Sequence, residues 1–95
     1  MYVVADFVAL KTIEEYKTKI ASKLTALDIG VLVLNAGYAD MGPFHMIDDM
    51  ECEKQISVNA VHVLFLLKVM INQLVKRYEL RKLPSAVVIT SSIAG

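Results

Sequence analysis

Two short apolar runs place the strongest constraint on the fold of this chain. Ile29–Leu34 and Ala86–Thr90 are rich in β-branched residues, and neither alternates between apolar and polar positions. Strands that are covered on both faces have this pattern, which is typical of parallel sheets. A third apolar run, Tyr2–Ala5, ends at Asp6, and we expect it to be a buried strand as well.

The stretches between these runs have helical periodicity. The apolar side chains of Lys11–Leu27 recur at steps of three and four residues, which predicts one buried helix face. Glu51–Leu80 is a long helical candidate, and its middle is apolar nearly all round, which indicates burial on more than one side. Strands that alternate with amphipathic helices predict an α/β fold with a parallel sheet and right-handed crossovers.

Composition excludes several classes of protein. The 10 basic residues balance the 10 acidic ones, so the chain has no excess positive charge with which to bind nucleic acid. An apolar share of 56% excludes a disordered chain and is unusual for 95 residues, because a small domain has much surface for its volume. We therefore expect that a partner, or the rest of a larger protein, covers part of this surface.

The sequence gives little support for a membrane span, a disulfide or a metal site. Ile56–Ile71 has 16 residues, contains Asn59, His62 and Lys68, and is shorter than the ~20 apolar residues that a span needs, so we expect no membrane span. Cys52 is the single cysteine, which fits a cytoplasmic protein. His45 and His62 have no metal-ligand spacing, and we expect no metal.

Polar groups follow each of the three apolar runs. They are Asp6, Asn35-Ala36-Gly37 and Thr90-Ser91-Ser92, and a further polar residue, Asn59, interrupts the long helix. Ligands of open α/β sheets bind beyond the carboxyl ends of the strands. Each group alone is also an ordinary turn or cap, so only their combination points to a site.

The combination resembles the short-chain dehydrogenase/reductase family, the Rossmann-fold oxidoreductases. Ala5-Asp6 is similar to the end of the family's strand three, and Leu34-Asn35-Ala36-Gly37 is similar to the N-A-G motif after strand four. Ser57-Val58-Asn59 resembles the helix segment that carries the catalytic Asn, and residues 87–95 resemble strand five with the catalytic-serine turn. The resemblance implies a partial Rossmann fold with parallel strands three, four and five and two crossover helices. Residues 1–95 would be the central fragment of a single NAD(P)-binding domain.

The resemblance also implies a set of cofactor-binding residues for NADP or NAD. Asp6 would accept a hydrogen bond from the adenine amino group. Asn35 would tie neighbouring elements together, since an amide both donates and accepts. Ala36 and Gly37 would let the cofactor ribose approach the backbone, as small residues permit.

The catalytic residues implied by the resemblance are Ser92 and Asn59. Ser92 would hydrogen-bond the oxygen of a small alcohol, ketone or acyl substrate and stabilise charge that develops there. Asn59 would hold a water in a proton relay. The nicotinamide supplies the hydride, so the protein supplies placement and proton handling.

Two motifs of the family have no counterpart at their expected places. These are the Gly-rich turn T-G-x-x-x-G-x-G and the pair Y-x-x-x-K, which lies a dozen or so residues beyond the serine. Only residues 93–95 follow Ser92, so we expect a truncated chain that is inactive alone. In the family's strand order, Tyr2–Ala5 loses its neighbour, and we expect it either to close the gap beside Ile29–Leu34 or to be poorly held.

Two functions remain open at this point. The first is an NAD(P)-dependent oxidoreductase, and the alternative is a non-catalytic, degenerate Rossmann domain that acts as a structural or interaction subunit. Glu51–Leu80 supports the alternative, because the corresponding helix of the family commonly forms a dimer interface. Residues 27–33 are similar to the branch of steroid dehydrogenases and very-long-chain 3-oxoacyl-CoA reductases. That branch makes the endoplasmic reticulum the alternative to the cytoplasm.

Overall fold

The computed structural model describes residues 1–92, which form two helices and two strands. Helix α1 comprises residues 13–24, and strand β1 is Val31–Leu34. A 3-10 turn at Phe44–Met46 precedes the long helix α2, Asp49–Arg81. Strand β2 is Ala86–Ile89. Both helices contain a π-helical segment, Lys17–Ala21 in α1 and Ser57–Val61 in α2.

The two strands form a parallel pair, with α2 as the connection between them. Val31 lies opposite Ala86 and Leu34 lies opposite Ile89. The ladder continues at its carboxyl end, where the backbone N–H of Thr90 donates to the carbonyl of Leu34 at 3.0 Å. This arrangement confirms the predicted α/β class and the predicted parallel sheet, with the two strongest apolar runs as neighbours.

The prediction of a third strand at Tyr2–Ala5 is wrong. Residues 1–6 belong to no strand of the described chain, and Tyr2 and Val4 are 87% and 83% exposed. The segment does not close the gap beside β1 and instead leads into a turn. The Asp6 carbonyl accepts from Ala9 and Leu10, and its carboxylate accepts from Val8 at 2.9 Å. Without a neighbouring ladder, an apolar run has no partner for its backbone groups.

The described chain does not itself cover the strands and α2 on more than one side, so the predicted coverage by a partner or by the rest of a larger protein stays a prediction. Val31 and Val33 are 58% and 56% exposed, whereas Leu34 on the opposite face is buried. Leu64, in the apolar middle of α2, is 64% exposed. The two helices pack chiefly against each other, so each leaves an apolar face open.

The main core lies between the N-terminal segment, α1 and α2. Leu10, Tyr16 and Ile20 are buried there, against Phe7 and Phe65 among others. The Tyr16 ring lies parallel to Phe7 at 6.1 Å and edge-on to Phe65 at 5.9 Å. The predicted apolar face of α1 is therefore confirmed at its centre, at Tyr16 and Ile20.

An ion-pair group fastens α2 to the start of β1. Arg77 donates from Nε to Asp28 at 2.8 Å, and Arg81 pairs with the other carboxylate oxygen at 2.8 Å. The Arg77 guanidinium holds the pKa of the Asp28 carboxyl below its usual range. Arg77 also donates to the carbonyl of Pro84, just before β2. An added Cβ at Gly30 would lie 3.1 Å from this guanidinium.

A glutamine of α2 caps the end of α1. Gln73 Nε2 donates to the carbonyls of Leu24 and Leu27, at 3.0 and 2.9 Å. The last carbonyls of a helix have no partner within the helix. The Leu24 carbonyl also accepts from the Leu27 backbone N–H at 3.1 Å, so Gln73 adds a second hydrogen bond there and ties the segment after α1 to α2 through the Leu27 carbonyl.

Within residues 1–92, helix α2 is long and apolar enough to cross a membrane, judged by length and composition alone. Its most apolar window has a mean hydropathy of 1.6 and is 22% buried. The core helix of a soluble protein passes the same test. The predicted absence of a membrane span therefore stays a prediction.

The hydroxyl of Tyr16 generates a test of the core. It is buried and has no hydrogen-bond partner among the described residues, and burial raises the pKa of the Tyr16 phenol. We expect Tyr16→Phe to raise the free energy of unfolding by about 1 kcal/mol, because it removes an unsatisfied polar group and keeps the ring contacts. Chemical denaturation measures this change, and Tyr78→Phe, at a position 58% exposed, is the matched control. A destabilised Tyr16→Phe variant would contradict the assignment.

Candidate active site

The carboxyl ends of β1 and β2 bring two of the predicted groups to one edge of the sheet. Asn35-Ala36-Gly37 leaves β1 and Thr90-Ser91-Ser92 leaves β2, and the Thr90–Leu34 bond joins the two exits. Ser92 is exposed at this edge. The remainder of the predicted serine turn, residues 93–95, lies outside the described residues.

Asn59 holds the backbone of the residue that follows the N-A-G motif. The backbone N–H of Tyr38 donates to Asn59 Oδ1 at 2.8 Å, and Asn59 Nδ2 donates to the Tyr38 carbonyl at 2.7 Å. The amide thus binds both polar groups of one residue, 21 positions away in the sequence. Each end of the amide keeps capacity for one further hydrogen bond, because an amide offers two donors and two acceptor lone pairs.

The position of Asn59 depends on the π-helical segment of α2. Asn59 is the middle residue of Ser57–Val61, and the flanking Ser57 and Val58 are buried. π-Helical turns are rare and occur frequently at functional sites. The Lys11 ammonium donates to the Ser57 hydroxyl at 3.3 Å, which anchors the N-terminal segment two residues before Asn59.

A second contact of Tyr38 was not anticipated from the sequence. The Tyr38 phenol donates to Glu51 Oε2, and Lys54 Nζ donates to Glu51 Oε1 at 3.0 Å. This bond to Glu51 raises the pKa of the Tyr38 phenol, and the two donors lower the pKa of Glu51. Glu51 lies in the first turn of α2, where an acidic residue ordinarily interacts with the helix dipole. The sequence feature that could have indicated this contact is a tyrosine directly after the N-A-G motif, 13 residues before the glutamate.

Gly37 lies against Asn59 with space to spare. An added Cβ at this position would meet only Asn59 Oδ1 within 4 Å, at 3.7 Å, which is ordinary van der Waals contact. The described protein therefore tolerates a side chain at residue 37, and its own packing gives no reason for a glycine. Asn35 and Ala36 are exposed beside it. Asn59 makes the observed tie between neighbouring elements, and the tie implied for Asn35 stays a prediction.

Asp6 lies in the turn after the N-terminal segment, where it is exposed. One carboxylate oxygen accepts from Val8, as in an ordinary Asx turn. The next residue, Phe7, stacks on His62 of α2 with ring centroids 4.5 Å apart. Asp6 is therefore held near α2 through its neighbour, and its adenine contact stays a prediction.

One tyrosine–lysine pair has the Y-x-x-x-K spacing but lies far from the candidate site. Tyr78 and Lys82 lie at the end of α2, with the lysine Nζ 5.5 Å from the ring centroid. From Asn59 to Tyr78 the helix rises by roughly 28 Å, at ~1.5 Å per residue. Tyr78 therefore lies far from Asn59 and from the candidate site.

Within residues 1–92, no group of three or more His, Cys, Asp or Glu side chains lies close enough to hold a metal ion.

Comparison with known proteins gives a family and similar solved structures. The family described as short chain dehydrogenase matches residues 1–95. The crystal structure of an NADH-dependent reductase A1-R' responsible for alginate metabolism is 28% identical, with a TM-score of 0.75 over 95% of this chain. The same reductase complexed with NAD is 29% identical, with a TM-score of 0.76 over 95% of this chain. This chain spans 36% and 37% of the two reductase chains. The comparison with curated proteins gives no match.

The pair of hydrogen bonds between the Asn59 side chain and the Tyr38 backbone leads to the first prediction for the site. We expect Asn59→Ala to speed hydrogen exchange at the Tyr38 amide roughly tenfold or more, because two hydrogen bonds of about 1 kcal/mol each are lost. Exchange detected by NMR measures this change. Asn72→Ala, at an exposed position of the same helix, is the matched control. Unchanged exchange at Tyr38 would contradict the geometry.

The bond between Tyr38 and Glu51 generates a pH-dependent prediction. We expect Glu51→Gln to lower the pKa of the Tyr38 phenol, since hydrogen bonding to this carboxylate is the largest cause of the upward shift. Stability from this contact is complete between the ordinary glutamate pKa of 4.5 and the ordinary tyrosine pKa of 10.0. It is lost as pH rises through the higher folded pKa of Tyr38 and as pH falls through the lowered folded pKa of Glu51. NMR of tyrosine labelled with ¹³C at Cζ follows the titration. Glu79→Gln is the control, and an equal shift in both variants would contradict the assignment.

Proposed function

The chain belongs to the short chain dehydrogenase family. On this premise we propose that it functions in an NAD(P)-dependent oxidoreductase that acts on alcohols or ketones. The observation that carries the proposal is the carboxyl edge of the sheet. There Asn59 fixes the backbone after the N-A-G motif, and the exit of β2 brings Ser92 to the same edge. This stretch is about a third of the length of the similar reductases, so the activity of the whole protein is part of the proposal.

The residues on the β1 side of the edge fit a dinucleotide. Gly37 has no steric role among the described residues, because a Cβ there would make only an ordinary contact. Its lack of a side chain leaves room for a ligand to approach the exposed backbone of residues 35–37. Asp6 retains a carboxylate oxygen for the adenine amino group. One similar reductase is complexed with NAD, which supports NAD as the first cofactor to test, beside NADP.

Each proposed catalytic residue has a chemical task at this edge. NAD(P)H, when bound, supplies the hydride. The Ser92 hydroxyl donates a hydrogen bond to the substrate oxygen and stabilises the charge that develops there. Asn59 retains one donor and one acceptor beyond its bonds to Tyr38, which is the capacity needed to hold a water in a proton relay. Tyr38, clamped to Asn59 and Glu51, keeps that water position fixed relative to the N-A-G motif.

The described residues place no acid–base pair of the family's kind at this edge, where the Tyr38 phenol is engaged by Glu51. The family's acid–base tyrosine and its lysine have no counterpart near this edge, and Tyr78 lies roughly 28 Å along α2 from Asn59. We therefore expect no NAD(P)H-dependent reductase turnover from this chain by itself. Weak binding of the cofactor is the activity that the proposal assigns to it.

Cofactor binding is tested by saturation-transfer NMR with NADH and NADPH. We expect transfer to the adenine and ribose protons, with dissociation constants near the millimolar range, about −4 kcal/mol. Gly37→Val should abolish transfer, because its side chain fills the space left for the ligand, while leaving the folded state unchanged. Ala39→Val adds similar bulk two residues later and should leave transfer intact. Equal transfer to the wild type and Gly37→Val, or none to the wild type, would contradict the proposal.

A second candidate function is a non-catalytic interaction subunit. The observation that favours it is the exposed apolar side of α2, where Ile56 and Leu64 are 62% and 64% exposed. Burial of such a face stabilises an assembly by roughly 25 cal/mol per Å² of apolar surface, and a second copy of the chain is the partner we propose for it. The Gly37→Val variant separates the two functions, because it removes cofactor binding and leaves α2 unchanged.

A further inference from the structure

A cavity lies between the ends of the two helices, at the other end of α2 from Asn59. It has a volume of about 530 Å³, and ligand pockets commonly have volumes of roughly 300–1,000 Å³. One wall is the last part of α2, and the other is the connection from α1 to β1 at residues 25–29. We call this cavity the α1–α2 groove. Its residue Lys76 lies roughly 26 Å along the helix from Asn59, at ~1.5 Å per residue.

Positive charge predominates in the α1–α2 groove. Lys76, Arg77 and Arg81 line it, and Asp28 is the one acidic residue among the described residues of its walls. Lys76 forms no ion pair with any residue in the described part of the chain. Cations near the end of a helix ordinarily interact with the helix dipole, but the dipole does not require a cavity in front of them. The groove therefore has the charge and the space to hold an anion.

The two arginines of the groove are held in fixed positions. Asp28 accepts from Arg77 Nε and from Arg81 Nη1, both at 2.8 Å. Arg77 also donates to the Pro84 carbonyl, and its side chain is only 18% exposed. A guanidinium has five N–H donors, so each arginine retains donors beyond these bonds. Guanidinium groups that are already oriented bind phosphate and carboxylate oxygens with little further loss of side-chain entropy.

The rest of the groove is largely apolar. Leu27, Ile29, Val69 and Leu80 line it, and Leu27 and Leu80 are 44% and 80% exposed. An inorganic anion bound at the arginines would leave these side chains in water, whereas a ligand with an alkyl chain would cover them. Removal of apolar surface from water is favourable, so an apolar body adds affinity that charge alone does not supply.

We propose that the α1–α2 groove binds a small amphiphilic anion, in which an alkyl chain ends in a phosphate group. The cations bind the phosphate, and the apolar side chains contact the alkyl chain. The occupant is a single dissolved molecule, because the groove is a recess between two helices. The site lies outside the proposed function, which concerns the carboxyl edge of the sheet, and does not depend on it.

Octyl phosphate is the probe, and inorganic phosphate and 1-octanol represent its two halves. The ¹⁵N-labelled chain is titrated with each below the concentration at which micelles form, and NMR follows the signals. We expect octyl phosphate to shift the Nε signals of Arg77 and Arg81 and the amide signal of Gly30, which lies against the Arg77 guanidinium. Octyl phosphate should bind at least tenfold more tightly than either half, because it alone contacts both parts of the groove.

Matched variants separate the groove from the rest of the surface. Lys76→Gln should weaken octyl phosphate binding severalfold. Lys68→Gln removes the same charge from an exposed position of α2 outside the groove and should leave binding unchanged. Asn72→Lys adds a cation to the lining and should strengthen binding, which a misfolded variant cannot do. Leu80→Ser should weaken octyl phosphate binding without changing that of inorganic phosphate.

Three outcomes would overturn the proposal. Equal affinity for octyl phosphate and for either half would mean that one part of the groove contributes nothing. Equal losses in Lys76→Gln and Lys68→Gln would mean that binding follows net charge alone. Absence of shifts at Arg77, Arg81 and Gly30 would place any binding elsewhere. The probes contain no dinucleotide and the variants leave residues 35–37 unchanged, so these results are independent of the cofactor test with Gly37→Val.

Discussion

Helix α2 is the element on which every other part of the described chain depends. The N-terminal segment stacks on it through Phe7 and His62, and the end of α1 is capped by Gln73. Arg77 fastens the segments before both strands, and Asn59 fixes the exit of β1. A two-stranded sheet is marginal on its own. The side-chain bonds from one long helix therefore supply the order that a larger sheet provides in other α/β proteins.

The sequence predicts the elements that carry strong local signals. The apolar runs at β1 and β2 and the helical periodicity of α1 and α2 all correspond to observed elements, within two or three residues at each end. Tyr2–Ala5 has the same local signal and forms no strand, because a strand requires a neighbour with which to pair. The exposed faces of β1 and α2 have the same explanation. An apolar side chain is compatible with burial, but only the neighbouring elements decide whether it is in fact buried.

The candidate site divides in a similar way. Motif spacing identifies the N-A-G exit, Asn59 and the serine pair, and the structure brings the first two into contact through the Tyr38 backbone. The bond from Tyr38 to Glu51 was missed, since it joins a loop to the first turn of a helix that periodicity places but does not orient. The orienting feature is the π-helical segment around Asn59, which has no signature in the residue types of Ser57–Val61. Contacts that depend on helix rotation are therefore the part that sequence patterns leave undetermined.

Gly30 has a consequence for how this chain varies in evolution. An added Cβ would lie 3.1 to 3.3 Å from the Arg77 guanidinium, closer than most real contacts of such atoms. A flexible side chain usually moves aside, but this guanidinium is held by Asp28 on one side and by the Pro84 carbonyl on the other. Position 30 is thus coupled to position 77 although the two lie in different elements. A side chain at position 30 therefore requires a change at position 77, whereas a glycine at position 30 is compatible with other residues there.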